Sequence, residues 1–305
     1  MTMNWSGVIP AITTPFLEDY SVDAEFLGRH VDWLLENGCT GIVALGSLGE
    51  GGALTFEEKV QVLRTCRGRT GSGRALVAGI SSMSTAEAVR MARAAEAAGC
   101  DGLMVLPPYV YLGDWRETKA HVAAVLSATK LSCMLYNNPI AYTVDFLPHQ
   151  VQELVSEFEN LHAIKESSAD IRRVTALRAL IGDRLKILVG VDDAIVEGVQ
   201  AGAGGWIAGL VNAFPKESVD LFESAKSGGS ESTFDLYQWF LPLLRMDTVP
   251  KFVQLIKLAQ ELAGMGNRRV RAPRLELAGH ELEEAMATIS KCLATRPRGL
   301  QMAST

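Results

Sequence analysis

The chain predicts an α/β fold: a (β/α)8 TIM barrel with a C-terminal helical extension. Three observations predict it. Short apolar runs alternate with helical-period segments eight times between residues 7 and 227. The runs are continuously apolar, as expected of parallel strands covered on both faces. The first strand–helix turn carries Thr13-Thr14-Pro15-Phe16 and not the Gly-rich fingerprint of a doubly wound open sheet, which is the competing topology.

The elements follow in order. Residues 7–13 are an apolar run closed by Thr14-Pro15. Residues 22–37 place Phe26, Leu27, His30, Val31 and Leu34 on one helical face, and Gly38 ends that helix. The second strand, 41–45, runs into Gly46-Ser47-Leu48-Gly49-Glu50. Thr55 and Glu58 then have the spacing of a capping box, with a helix to about 67. Strands at 75–80, 102–106, 131–136, 161–165, 186–191 and 205–208 alternate with helices at 84–98, 115–129, 148–158, 171–181, 193–201 and 215–227. After Gly228-Gly229 the pattern is helical only, with helices at 232–245, 249–263 and 282–293. The expected division is a catalytic barrel over 1–228 and a helical region over 229–305, packed on the barrel or on a subunit interface.

Composition narrows the function. At 48% hydrophobic and 21% charged residues, the chain can bury a large core. A net charge of −6 argues against a nucleic-acid surface. Five scattered cysteines without a CxxC pair argue against a disulfide framework or a zinc site and fit a reducing compartment. Neither a signal sequence nor a run of membrane-spanning length is visible, so a cytoplasmic protein without a membrane partner is expected.

Barrel chemistry sits at the C-terminal ends of the strands. Strand 6 ends in Ile164-Lys165-Glu166, where an apolar run meets a lysine. A desolvated lysine has a lowered pKa and can act as a Schiff-base nucleophile. The competing reading is a strand-end lysine that snorkels to water. Strand 5 ends at Tyr136, about 4.8 Å away across one strand spacing. A phenol there can move protons during imine formation, or simply pack. The Gly46–Glu50 turn can offer backbone N–H groups to a carboxylate or a phosphate. Strand 4 leads into Pro108-Tyr109-Val110-Tyr111. Asp192-Asp193 read as a helix N-cap in preference to a metal pair. No histidine pair has ligand spacing, and His162 lies at the far end of strand 6.

Five motifs stand in register: residues 7–16, Gly46-Ser47-Leu48-Gly49-Glu50, Tyr136-Asn137-Asn138-Pro139, Ile164-Lys165-Glu166-Ser167-Ser168 and Gly190-Val191-Asp192-Asp193. Together they resemble the dihydrodipicolinate synthase/N-acetylneuraminate lyase family over nearly the whole chain. The resemblance implies a homotetrameric barrel that binds pyruvate or another 2-oxo acid as a Schiff base, with no cofactor and no metal. It implies that Lys165 is the Schiff-base lysine, that Tyr136 is the proton relay, and that Ser47 hydrogen-bonds that tyrosine. By the same resemblance Leu48 stands at a carboxylate-binding position and Ile207 looks like the strand-8 residue whose carbonyl faces the site, while Tyr109 is an expected substrate contact.

Three departures bear on substrate. Leu48 replaces a second hydroxyl. Val110 replaces the tyrosine that synthases of the family lend to a neighbouring subunit, and the adjacent Tyr111 points the other way in an extended backbone. Ala141 replaces the arginine that holds a second carboxylate. The expectation is therefore an aldolase, dehydratase or deaminase, with a lean toward elimination of water or ammonia. Its substrate is a 2-oxo-3-deoxy sugar acid or a hydroxyproline-derived imine such as 1-pyrroline-4-hydroxy-2-carboxylate. The alternatives are a 4-hydroxy-tetrahydrodipicolinate synthase, a 2-oxo-acid-binding barrel without catalysis, and a phosphate-binding isomerase. The last would want a Gly-rich phosphate loop after strands 7 and 8, whereas Gly204-Gly205 lie at the front of strand 8.

Overall fold

The computed structural model describes residues 3–109 and 111–297. Eight parallel strands close into a barrel: β1 (Gly7–Pro10), β2 (Gly41–Ala44), β3 (Ala75–Ile80), β4 (Gly102–Val105), β5 (Ser132–Asn137), β6 (Leu161–Glu166), β7 (Lys186–Val189) and β8 (Gly205–Ala208). Neighbours in sequence are neighbours in the sheet, and β1 pairs with β8. A parallel bridge between Ala11 and Val43 joins the β1 side to β2 and completes the ring. Nearly every strand residue is buried, which accounts for the continuous apolar runs.

The eight outer helices fall where the periodicity placed them, within the usual drift of helix ends. The Thr55–Glu58 capping box forms: Thr55 N–H donates to Glu58 at 2.8 Å and Glu58 N–H donates to Thr55 Oγ1 at 3.2 Å. Two local differences matter for the site. The expected strand 186–191 stops at Val189 and gives way to a 3-10 turn, Asp192–Ala194, before the helix Ile195–Gln200. A one-turn helix, Pro139–Tyr142, fills what read as loop after β5. Pro139 sits in its first turn, and the Asn138 side chain accepts the Ala141 N–H at 3.0 Å.

Beyond the barrel lie helices Glu231–Leu244, Phe252–Leu262 and Gly279–Ala294. The middle one is tied to the barrel by a buried ion pair. Lys257 Nζ stands 2.6 Å from Glu50 Oε1 and donates to the Arg269 carbonyl at 2.7 Å, while Glu50 Oε2 accepts the Arg271 N–H at 2.9 Å. Glu50 ends the turn after β2, so this contact fixes the turn and the helical region together. Glu50→Ala leaves the Lys257 ammonium buried without its counter-ion. The expected loss is about 3–5 kcal/mol, read as a lower urea midpoint at unchanged slope. No helix among the described residues is long and apolar enough to cross a membrane.

Candidate active site

A cavity of about 630 Å³ opens at the C-terminal ends of the strands, within the size range of small-molecule sites. Its centre is Lys165. The β5–β6 register pairs Tyr136 with Lys165, so the two side chains rise side by side. Lys165 Nζ lies 4.2 Å from the centre of the Tyr136 ring, on its face. Lys165 is only 7% exposed. Burial lowers its proton affinity below the ordinary lysine value, and the nearby Asp247, Tyr142 and Asp192 partly offset this. Among the described residues, no carboxylate forms a hydrogen-bonded ion pair with its Nζ. The lysine is therefore a real strand-end amine turned inward and not a snorkelling one.

The phenols form a second wall. Burial pushes Tyr136 up to about 12, and its hydroxyl accepts from Asn138 Nδ2 at 3.1 Å. Tyr142, from the one-turn helix, packs edge-on against Tyr136 with ring centres 5.8 Å apart. Burial raises its pKa as well. The Ser47 hydroxyl bonds to Tyr142, not to Tyr136 as expected. The reason is local: the Asn138-Pro139 helix start swings Tyr142 over the turn after β2, while Tyr136 is engaged by Asn138.

That turn has an uncommon backbone shape. Leu45, at the end of β2, has φ 66° and Glu50 has φ 52°. The left-handed region costs non-glycine residues of order 1–3 kcal/mol. Between them, the backbone N–H groups of Ser47 and Leu48 donate to no protein acceptor among the described residues, and both residues line the cavity. Two adjacent free amides make a cradle for an anion. Leu48 is buried and adds an apolar wall.

Other expected residues fall differently. Ala141 lines the cavity. Ile207 does not: it is buried in the barrel wall opposite Ile9, and β8 reaches the cavity through Gly209. Tyr109 does not line the cavity either. It packs on Tyr142, with ring centres 5.7 Å apart. Val110 lies outside the described residues. Asp192 is not the cap of its own helix. Its carboxylate is buried and accepts from Trp206 Nε1 at 2.8 Å, Gly209 N–H at 3.1 Å and Leu210 N–H at 2.7 Å. It thus anchors the turn after β8. Burial still raises its pKa to about 6.

Tyr142, Ser167 and Asp247, to which the sequence reading gave no role in the site, join the cavity. Asn138-Pro139 is a helix-start signal that pointed to Tyr142. Ser167 follows Lys165 by two. Asp247 comes from the helical region, where strand-end reasoning does not look.

Lys165 is the one cation among the described residues lining the cavity, and Asp193 and Asp247 are its carboxyl groups. Gly190 and Gly209 directly follow the neighbouring strands β7 and β8 and make room for Lys165 and Asp247 respectively. A Cβ on Gly190 would overlap Ser167 Oγ and Lys165 Cε and lie 2.7 Å from Lys165 Cγ. A Cβ on Gly209 would overlap Asp247 Oδ1.

Comparison with known proteins agrees with this architecture. The family model described as the dihydrodipicolinate synthetase family matches residues 4–292. The 4-hydroxy-tetrahydrodipicolinate synthase of Methanococcus vannielii is 30% identical over 286 residues, which covers 93% of this chain and 98% of that one. The enzyme of the same name from Chelativorans sp. is 32% identical over 238 residues, with 78% and 81% covered. Among solved structures, a dihydrodipicolinate synthase of Bacillus anthracis superposes with a TM-score of 0.91 at 26% identity, covering 98% of this chain and 100% of that one. The chain belongs to the dihydrodipicolinate synthetase family, and with it to the lyases of class I aldolase type.

Proposed function

We propose that the protein is a Schiff-base lyase that eliminates water or ammonia from a 2-oxo acid, or from its cyclic imine, carrying one carboxylate. The carrying observation is the charge of the cavity: Lys165 is its one lining cation among the described residues, and two carboxyl groups face it. The C1 carboxylate has the free amides of Ser47 and Leu48. A second substrate carboxylate would be desolvated near Asp193 and Asp247 with no arginine to pair it, an expensive arrangement. Ala141 in the lining is consistent with that.

The roles follow from position. Lys165 adds to the C2 carbonyl as the neutral amine. Tyr136, kept protonated by burial, donates to the carbinolamine oxygen as water leaves. Tyr142 joins Ser47 to this phenol pair. Polyhydroxylated or cyclic 4-hydroxy substrates such as 1-pyrroline-4-hydroxy-2-carboxylate suit a cavity lined by Asp193, Ser167 and apolar Leu48 and Ile140. Because burial lowers the lysine pKa, the rate of imine trapping is expected to rise with pH and level off well below 10.5, the ordinary lysine value. A rise that continues to that value would contradict a desolvated Lys165.

The similarity to 4-hydroxy-tetrahydrodipicolinate synthases favours a second reading, a condensing synthase of that kind, and the single lining cation among the described residues speaks against it. Incubation with both substrate sets and product analysis separates the two. Loss of water or ammonia from 4-hydroxy-2-oxo acids or the hydroxypyrroline carboxylate is expected. Efficient condensation with no elimination would overturn the proposal.

We further infer a cytoplasmic homotetramer. Tyr111, Leu112 and Ile140 are 59%, 71% and 69% exposed near the site, the kind of apolar surface that subunits cover. Light scattering should give the mass of four chains, and a monomer would contradict this.

A further inference from the structure

Asp247 reaches the cavity from outside the barrel. It ends the 3-10 turn Arg245–Asp247 that follows the helix Glu231–Leu244. Its carboxyl group has no hydrogen-bonding partner among the described residues. The other acids near Lys165 are engaged. Asp192 is saturated by three N–H donors, and Asp193 faces Arg245 Nε at 3.7 Å. Asp247 is thus the cavity carboxyl whose oxygens are left for a ligand.

Its placement is built. Gly209 at the end of β8 leaves room for Asp247 Oδ1, and Gly190 at the end of β7 leaves room for the Lys165 stem. Two bare strand ends bring amine and acid to one wall, while the phenols of Tyr136 and Tyr142 occupy the β5 side. Burial favours the protonated acid at Asp247 and the neutral amine at Lys165, and each is the other's neighbour in charge. Tyr136, pushed up to about 12, makes a poor base.

We propose that Asp247 is the acid–base residue that moves a proton from C3 of the bound substrate to the group leaving C4. This rests on the reading of the site as an eliminating Schiff-base lyase. Imine formation puts a fixed positive charge where the neutral amine stood, and Asp247 loses its proton to solvent beside it, balancing the proton that Tyr136 takes back from solvent after giving its own to the departing water. The carboxylate then takes the C3 proton. The C3–H electron pair becomes the C2–C3 double bond of an enamine, and the nitrogen is neutralised. The enamine electrons next form the C3–C4 double bond, the C4–O or C4–N bond breaks, and Asp247 returns its proton to the departing oxygen or nitrogen. Water or ammonia leaves, and hydrolysis frees Lys165 and a 2-oxo-3-enoic acid. No oxidant or reductant is needed.

The test compares wild type and Asp247→Asn in three measurements. These are borohydride adduct on Lys165 with pyruvate, deuterium uptake at pyruvate C3 in heavy water, and elimination from a 4-hydroxy-2-oxo acid. Adduct yield within about threefold of wild type is expected, with deuterium uptake and elimination each down ~10²-fold or more, the usual worth of a general acid–base. Asp247→Glu should regain part of both. Deuterium uptake near wild type in Asp247→Asn would overturn the proposal and leave the lyase reading standing. Loss of the adduct as well would overturn it too, by placing Asp247 in imine formation or in the fold. A wild type that forms no adduct would instead refute the Schiff-base reading. A wild type that splits the C3–C4 bond without eliminating would refute the elimination reading, and the C4 step with it.

Discussion

Lys165→Met is expected to abolish turnover on any 2-oxo acid, by at least ~10⁴-fold, because no other amine among the described residues lines the cavity to form the imine. The same change is expected to leave the fold at least as stable as wild type. Lys165 is buried with a face-on ring and, among the described residues, no hydrogen-bonded counter-ion. Replacing a buried amine kept in such a place by an apolar chain of similar volume is neutral or stabilising, by up to about 1–3 kcal/mol. Steady-state rates and urea unfolding measure the two effects. A marked loss of stability with retained turnover would reverse the assignment and make Lys165 a structural residue.

Gly190→Ala is expected to have the next largest effect. The added Cβ has no room beside Ser167 Oγ and Lys165 Cε. Neither atom belongs to a loose surface chain, because both residues are buried. The lysine stem must shift. Misplacing a reacting atom by about 1 Å can cost 10²-fold in rate, so kcat should fall by roughly that factor. Overpacking at a strand end costs about 1–3 kcal/mol, so the protein stays folded. The KM for substrate should change little if the Ser47–Leu48 amides hold the carboxylate. Gly190→Ala with wild-type kcat would mean that Lys165 reaches its working position by another path.

Much of the barrel was legible in the sequence because buried parallel strands write themselves as short apolar runs with helical segments between. Lys165 and Tyr136 were legible for the same reason: each is a polar residue at the end of such a run, and equal strand lengths put them in register. Ser47 was placed at the right turn and given the wrong partner, since hydrogen-bond choice depended on a one-turn helix whose only signal was Asn138-Pro139. Ile207 lies in the barrel wall, and it is Gly209, in the turn after β8 that Asp192 anchors, that lines the cavity. Asp247 was beyond reach. Its position depends on how a helical region folds back over the barrel, through contacts such as Lys257 with Glu50, separated by 207 residues. Local periodicity carries no record of such a contact.

Mass analysis of the peptide containing Lys165, after incubation with pyruvate and borohydride reduction, tests the central claim most directly. A reduced pyruvate adduct on Lys165, absent from Lys165→Met, is the predicted result. Folded protein that yields no adduct on Lys165, with pyruvate or with a panel of 2-oxo-3-deoxy sugar acids and hydroxypyrroline carboxylate, would contradict it.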